Sequence, residues 1–277
     1  MPNLSSSTAV NVGVRALLMA ALAAACACVA ANDGSLARAK QRGQLVVGVD
    51  HVVAPYTAGA KFRTPEGLGQ PLAEDVARRL QLTLATRRSD APAHKVPPAA
   101  GAADLLLVAI ADNDPLYRSA TVVPTGYSAG PMAIMRTDTT IKTWAQLKGR
   151  TVCVAEGGLY AGTLAARYGA LERLYRAPAD ALLALRIGEC DATVHDSAML
   201  EELIKLPEWK KFSARLPTGA RTSLVLAAPR GDAESARFLK QVAGDWRSSK
   251  LVQQLLTKSV RNIAFEVYLD QNVPDCH

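Results

Sequence analysis

Apolar runs of strand length alternate along this chain with segments of helical period, an alternation that restricts it to α/β architectures with largely parallel sheets. LVVGV at 45–49 and LLLVAI at 105–110 carry no polar residue, as strands buried on both faces do. Between them, apolar residues at 72, 73, 76, 77 and 80 have the spacing of one helix face. The same reading predicts further strands at 132–135, 152–155, 192–194 and 223–228. A helical turn falls at 144–147, and helices fall near 160–168, 179–187, 197–204, 232–247 and 249–258.

The chain also echoes itself. Gly43 precedes an apolar strand that ends at Asp50, and Gly149 precedes one that ends at Glu156, the same interval in each case. Later in each half comes Gly-x-x-Asp and a strand, at Gly101 to Asp104 and at Gly188 to Asp191. Two similar lobes fit this better than one continuous sheet. Open α/β sheets bind ligands beyond the carboxyl ends of their strands. That rule selects Asp50 and His51, Glu156 to Tyr160, and His195 with Asp196, as residues facing a crevice between lobes.

Composition narrows the class. With 277 residues, 49% hydrophobic and 21% charged, the chain can bury a sizeable core. The net charge of +7 is scattered, with no basic run beyond a pair and no interleaved aromatics, so no nucleic-acid partner is expected. Residues 1–31 hold one charge, Arg15, then an Ala-rich apolar stretch ending in Val29-Ala30-Ala31. This reads as a secretory signal peptide, and the protein is expected in the periplasm; a lipid anchor at Cys26 is the weaker reading. Three cysteines then remain, Cys153, Cys190 and Cys276, in an oxidising compartment that favours one disulfide and one leftover. Cys153 and Cys190 both lie in strand-like segments, so the expected pair is Cys153 with Cys190. CxxC and HxxxH spacings are missing, and no metal or other cofactor is expected.

The ordered set GQLVVGVDHVVAPY, GLGQPLAEDVARRL, GAADLLLVAI, RSATVVPTGY, LKGRTVCVAEGG and GECDATVHDSAML spans most of the chain after the signal. Together these segments resemble the periplasmic solute-binding proteins of family 3, which deliver amino acids to ABC importers. The resemblance implies a two-lobed periplasmic-binding-protein fold of type II, with two Rossmann-like lobes joined by a two-strand hinge. Residues 1–31 would be the signal, 32–131 the first part of lobe 1, 132–221 lobe 2, and 222–277 the return to lobe 1. It implies a monomeric, non-enzymatic receptor for a small carboxylated solute, an amino acid first, with a membrane permease as partner.

By the same resemblance, Arg118 would clamp the ligand carboxylate, a task suited to a planar guanidinium. Asp196 would receive its ammonium, with a helix N-cap as the rival role. Backbone amides around Gly158 and Leu159, at a helix start, would greet the carboxylate. Tyr56 would stand near the cleft mouth and Asp50 at the first strand end. Several positions depart from the family pattern: Pro115 replaces a threonine, Val108, Ala109 and Ala111 replace hydroxyl donors, and Gly158 and Leu159 replace a Ser/Thr pair. Three rivals stand beside the transport reading. One is a dehydratase-like enzyme using Glu156, His195 and Asp196. Another is metal capture by Asp50-His51 and His195-Asp196. The third is a non-transport accessory or sensor role.

Overall fold

A computed structural model describes residues 34–53, 58–89 and 103–271. The signal segment, Cys26, Tyr56, Gly101 and Cys276 lie outside these residues. The chain begins with α1 (Ser35–Arg42), β1 (Gln44–Val49), α2 (Gly69–Leu80), β2 (Thr83–Arg88) and β3 (Leu105–Ile110). It continues with a short α3 (Leu116–Ser119), β4 (Ala120–Ala129), β5 (Pro131–Met135) and β6 (Thr151–Ala155). Then come α4 (Thr163–Tyr168), β7 (Leu171–Tyr175), α5 (Pro178–Arg186), β8 (Ala192–Asp196) and α6 (Ser197–Leu203). The two-residue β9 (Ala214–Arg215), β10 (Thr222–Pro229), α7 (Ala233–Ser248) and α8 (Leu251–Asp270) follow.

The strands form two five-stranded sheets, ordered β2-β1-β3-β10-β4 and β7-β6-β8-β5-β9. In each, the second strand of that order pairs in parallel with both its neighbours: β1 with β2 and β3, β6 with β7 and β8. An antiparallel strand arriving from the other lobe then joins, β10 beside β3 and β5 beside β8. The sequence echo is therefore a repeat of topology. Strands β2 and β7, which apolar runs do not reveal, are sheet edges; Leu171 and Leu174 of β7 are more than half exposed.

The chain crosses between lobes twice, at Gly130 between β4 and β5 and over 216–221 between β9 and β10. The crossings touch: Gly219 N donates to Pro131 O at 2.8 Å, and a Cβ on Gly130 would lie 2.7 Å from Gly219 O. Only glycine admits so close an approach of two backbones.

Helix α8 runs twelve residues past its expected end because Val260, Ile263, Ala264 and Val267 continue the buried face. It packs on α5 and α6 as well as α7. The last helix of the return segment thus packs on helices of both lobes. A buried Cys153–Cys190 disulfide, Cα atoms 5.9 Å apart, joins β6 to the turn just before β8, packed with Ala181 and Ala184 of α5.

Candidate functional site

Strands β1 and β8 both end at the junction of the lobes, which brings Asp50 and Asp196 to a narrow chamber of about 60 Å³. Asp50 accepts a hydrogen bond from Ala109 N at 2.7 Å. Burial, helped by the charge of Asp196, pushes its carboxyl up to about 6. Asp196 is 5% exposed and receives two phenols, Tyr127 Oη on Oδ2 at 2.9 Å and Tyr160 Oη on Oδ1. Burial first and the charge of Glu66 second push Asp196 up to about 6 as well. Both tyrosines are held protonated, far above their usual range, by burial and by this carboxylate. The side chain of Asp196 lines the chamber and makes no cap hydrogen bond to α6, so the structure does not show it as a helix cap.

The third carboxylate is one that sequence reasoning missed. Glu66, in the loop before α2, crosses from the first lobe, accepts from Asp196 N at 3.2 Å and meets His195 Nδ1 at 3.1 Å. The proton count here is constrained. Thr193 Oγ1 donates to Cys153 O at 3.0 Å, so its oxygen accepts from His195 Nε2 at 2.9 Å. With Nε2 carrying its hydrogen, the contact between Nδ1 and Glu66 requires one more proton, shared by the pair. Asp50, Glu66, Asp196 and His195 together thus carry about two negative charges when the carboxyls are ionised. His195 is fully buried in this arrangement.

The expected carboxylate holders are elsewhere. Arg118 is exposed on α3, outside the residues that line the chamber. Pro115 starts that four-residue helix and Asp114 Oδ1 caps Leu116 N at 2.8 Å, a turn that leaves Arg118 facing solvent. The Gly158 amide is consumed in a turn, donating to Ala155 O at 3.1 Å. Helix α4 starts only at Thr163, and Glu172 of β7 accepts from Gly162 N, Leu164 N and Ala165 N at 2.6 to 2.8 Å. An anion already caps that terminus. Leu159 does line the chamber. Gly157 and Gly158 serve by lacking side chains: a Cβ on Gly157 would lie 2.1 Å from the His51 ring, and one on Gly158 2.5 Å from Glu66 Oε2.

Outside the chamber, a recess of about 390 Å³ is lined by His51, Arg63, Glu66, Arg88, Glu156 and Arg176 among others. Burial, then the nearby Arg88, lowers the pKa of His51, which is uncharged at pH 7. Arg63 straps the lobes: its Nε donates to Asp180 of α5 at 2.8 Å and its guanidinium also bonds Asp270 at the end of α8. Beside it, Thr64 donates to Glu266. Among the described residues, no group of three or more His, Cys, Asp or Glu side chains could hold a metal ion; His195 is turned toward Thr193, and His51 lies against Gly157.

Among solved structures, the chain is similar to a mutant of ArgBP from T. maritima, at 20% identity and TM-score 0.54, over 81% of this chain and 98% of that one. It is equally similar to an amino acid ABC transporter substrate-binding protein from Streptococcus pneumoniae bound to L-arginine, at 15% identity and TM-score 0.55, over 83% and 98%. The chain has the two-lobed solute-binding protein fold. An ancestral cationic amino acid solute binding protein shares it at 18% identity and TM-score 0.55, over 82% and 99%, and a second structure of that protein names it a precursor of cyclohexadienyl dehydratase. No family model and no curated protein matches the sequence.

Proposed function

We propose that this two-lobed protein is an exported receptor that captures a small solute carrying an ammonium or guanidinium group, a cationic amino acid first, and presents it to an ABC importer. The observation that carries the reading is the enclosed acidic chamber. Asp50, Glu66 and Asp196 converge there from both lobes, and two of the three resist ionisation because burial outweighs the influence of Arg88 on Asp50 and of His195 on Asp196. A bound cation supplies the missing charge, and the Tyr127 and Tyr160 phenols orient the Asp196 oxygens toward it. The ligands of the structural neighbours point the same way, since ArgBP and the Streptococcus pneumoniae protein are described with arginine. The apolar segment 1–31 fits export, and delivery to a permease follows from the fold's transport relatives.

The test is a thermal-shift series with L-arginine, L-lysine, L-glutamate and succinate. A ligand at 100 times its Kd adds about 2.7 kcal/mol, a shift of roughly 5 to 10 °C at this size. The cationic pair should shift the melt and the acids should not; a response to succinate with none to arginine or lysine removes the reading. Assay of the same mixtures for substrate loss beyond the protein's own concentration separates a binder from a dehydratase.

A further inference from the structure

Glu66 reaches the acidic chamber from a stretch of chain, residues 61–68, that forms no helix or strand; α2 starts only at Gly69. A carboxylate on such a loop stays in one place only when the backbone beside it is fixed, because each unordered residue spreads it over several positions. Inside the chamber the Glu66 side chain is held by His195 Nδ1 and Asp196 N, at 3.1 and 3.2 Å. The backbone that carries it is held from another direction, by the last helix.

Thr64 is buried and gives both its donors to one carboxylate of α8. Thr64 N lies against the two Glu266 oxygens at 2.9 and 3.2 Å, and Thr64 Oγ1 donates to Oε1 at 2.6 Å. Only Pro65 separates Thr64 from Glu66. Its ring fixes its own φ and restricts the residue before it, so few torsions remain free between the clamp and the Glu66 side chain. Arg63 and Lys61 extend the anchorage along the loop. Arg63 bonds Asp180 of α5 and Asp270 of α8, and Lys61 Nζ meets Asp270 at 2.5 Å.

We infer that Glu266 is a positioning residue of the binding site, which fixes Thr64 from the last helix and, through the stiff Pro65, aims Glu66 into the chamber. The inference rests on the cation-binding reading above. It makes the end of α8 part of the binding apparatus, although Thr64 and Glu266 are 202 residues apart in sequence. Glu266 is needed as an acceptor rather than as a charge, so an amide oxygen in the same place serves equally well. Its whole effect on the cargo passes through Glu66.

The experiment is a double-mutant cycle with L-arginine as the probe, read by calorimetry on the wild type, Glu66→Gln, Glu266→Ala, Glu266→Gln and the Glu66→Gln, Glu266→Ala pair. Glu66→Gln should weaken binding about ten-fold and Glu266→Ala about five-fold or more, while Glu266→Gln stays within about two-fold of the wild type. In the pair, the second substitution should add less than about two-fold, because Glu66 has no charge left to aim. Should Glu266→Ala not fold, Thr64→Val, which removes one of the clamp's hydrogen bonds, takes its place in the cycle with the same dependence on Glu66. Wild-type affinity in Glu266→Ala or in Glu66→Gln, an equal loss in Glu266→Gln and Glu266→Ala, or losses that multiply in the pair each overturn the inference and leave a cation site built on Asp50 and Asp196 standing. Failure of the wild type to bind L-arginine overturns both.

Discussion

Replacing Asp196 by asparagine separates what the site needs from what the fold needs. The folded carboxyl titrates near 6 against a reference of 3.8, because burial and the charge of Glu66 oppose ionisation. Below about pH 4 the group is protonated in both folded and unfolded chains. Between about 4 and 6 the unfolded chain has released the proton and the folded chain has not, so stability falls through this window and stays lower above it. A gap of about two pKa units corresponds to about 3 kcal/mol at pH 7. Asparagine keeps the shape and never ionises, and its amide offers one acceptor and one donor to the Tyr127 and Tyr160 hydroxyls, which can rotate to suit. Asp196→Asn is therefore expected to be more stable than the wild type at pH 7 by up to about 3 kcal/mol, raising Tm by roughly 6 to 12 °C. The advantage should vanish by about pH 4, and affinity for L-arginine should drop at least about ten-fold, since the charged hydrogen bond is lost. Paired thermal and urea melts from pH 3.5 to 8 check it. A variant less stable than the wild type at pH 7, or a gain that does not change with pH, would refute the reasoning.

Two further outcomes follow from the scaffold. Reduction of Cys153–Cys190, or Cys153→Ala with Cys190→Ala, should cost about 4 kcal/mol from the 37-residue separation that the bridge spans, lowering Tm by roughly 8 to 16 °C; a change under about 2 °C would show that the bridge closes no loop that matters in the unfolded chain. Gly130→Ala should cost about 1 to 3 kcal/mol, because its Cβ would meet the Gly219 and Ala220 carbonyl oxygens at 2.7 and 2.9 Å, whereas Gly244→Ala, with nothing within 4 Å, should stabilise α7 by about 0.5 to 1 kcal/mol. Urea melts of the two variants side by side check this, and equal behaviour would mean that the crossings are free to separate.

What could be read from the sequence, and what could not, divides along physical lines. Strands β1, β3 and β6 announce themselves because both faces are buried, and the strand-end rule then places Asp50 and Asp196 in the cleft without any geometry. Edge strand β7 buries too little to leave an apolar run. Arg118 sits in a matching segment, yet the helix that Pro115 starts turns it to solvent, and spacing alone does not encode that direction. Glu172 is silent for the same reason: its carboxylate meets the α4 amides only after β7 pairs with β6. Glu66 and Arg63 lie in a loop without period, and their partners, Asp196 N, Asp180 and Asp270, are more than 100 residues away. The one sequence signal pointing to Glu66 is the glycine pair 157–158 at the opposing strand end, which leaves room for a side chain arriving from the other lobe.

The division of the acidic cluster between lobes bears on how closure is controlled. Asp50 and Glu66 belong to the first lobe and Asp196 to the second, so closing the cleft brings like charges together, and the raised titration of both aspartates records that cost alongside burial. The Arg63 strap and the bond from the Asp196 amide to Glu66 act in the opposite sense, holding the lobes closed. A cation in the chamber removes the repulsion only in the closed form, so it binds that form more tightly and shifts the population toward it by that difference in affinity. A solute without a positive charge leaves that repulsion in place, so discrimination resides in the closing equilibrium as much as in any one contact.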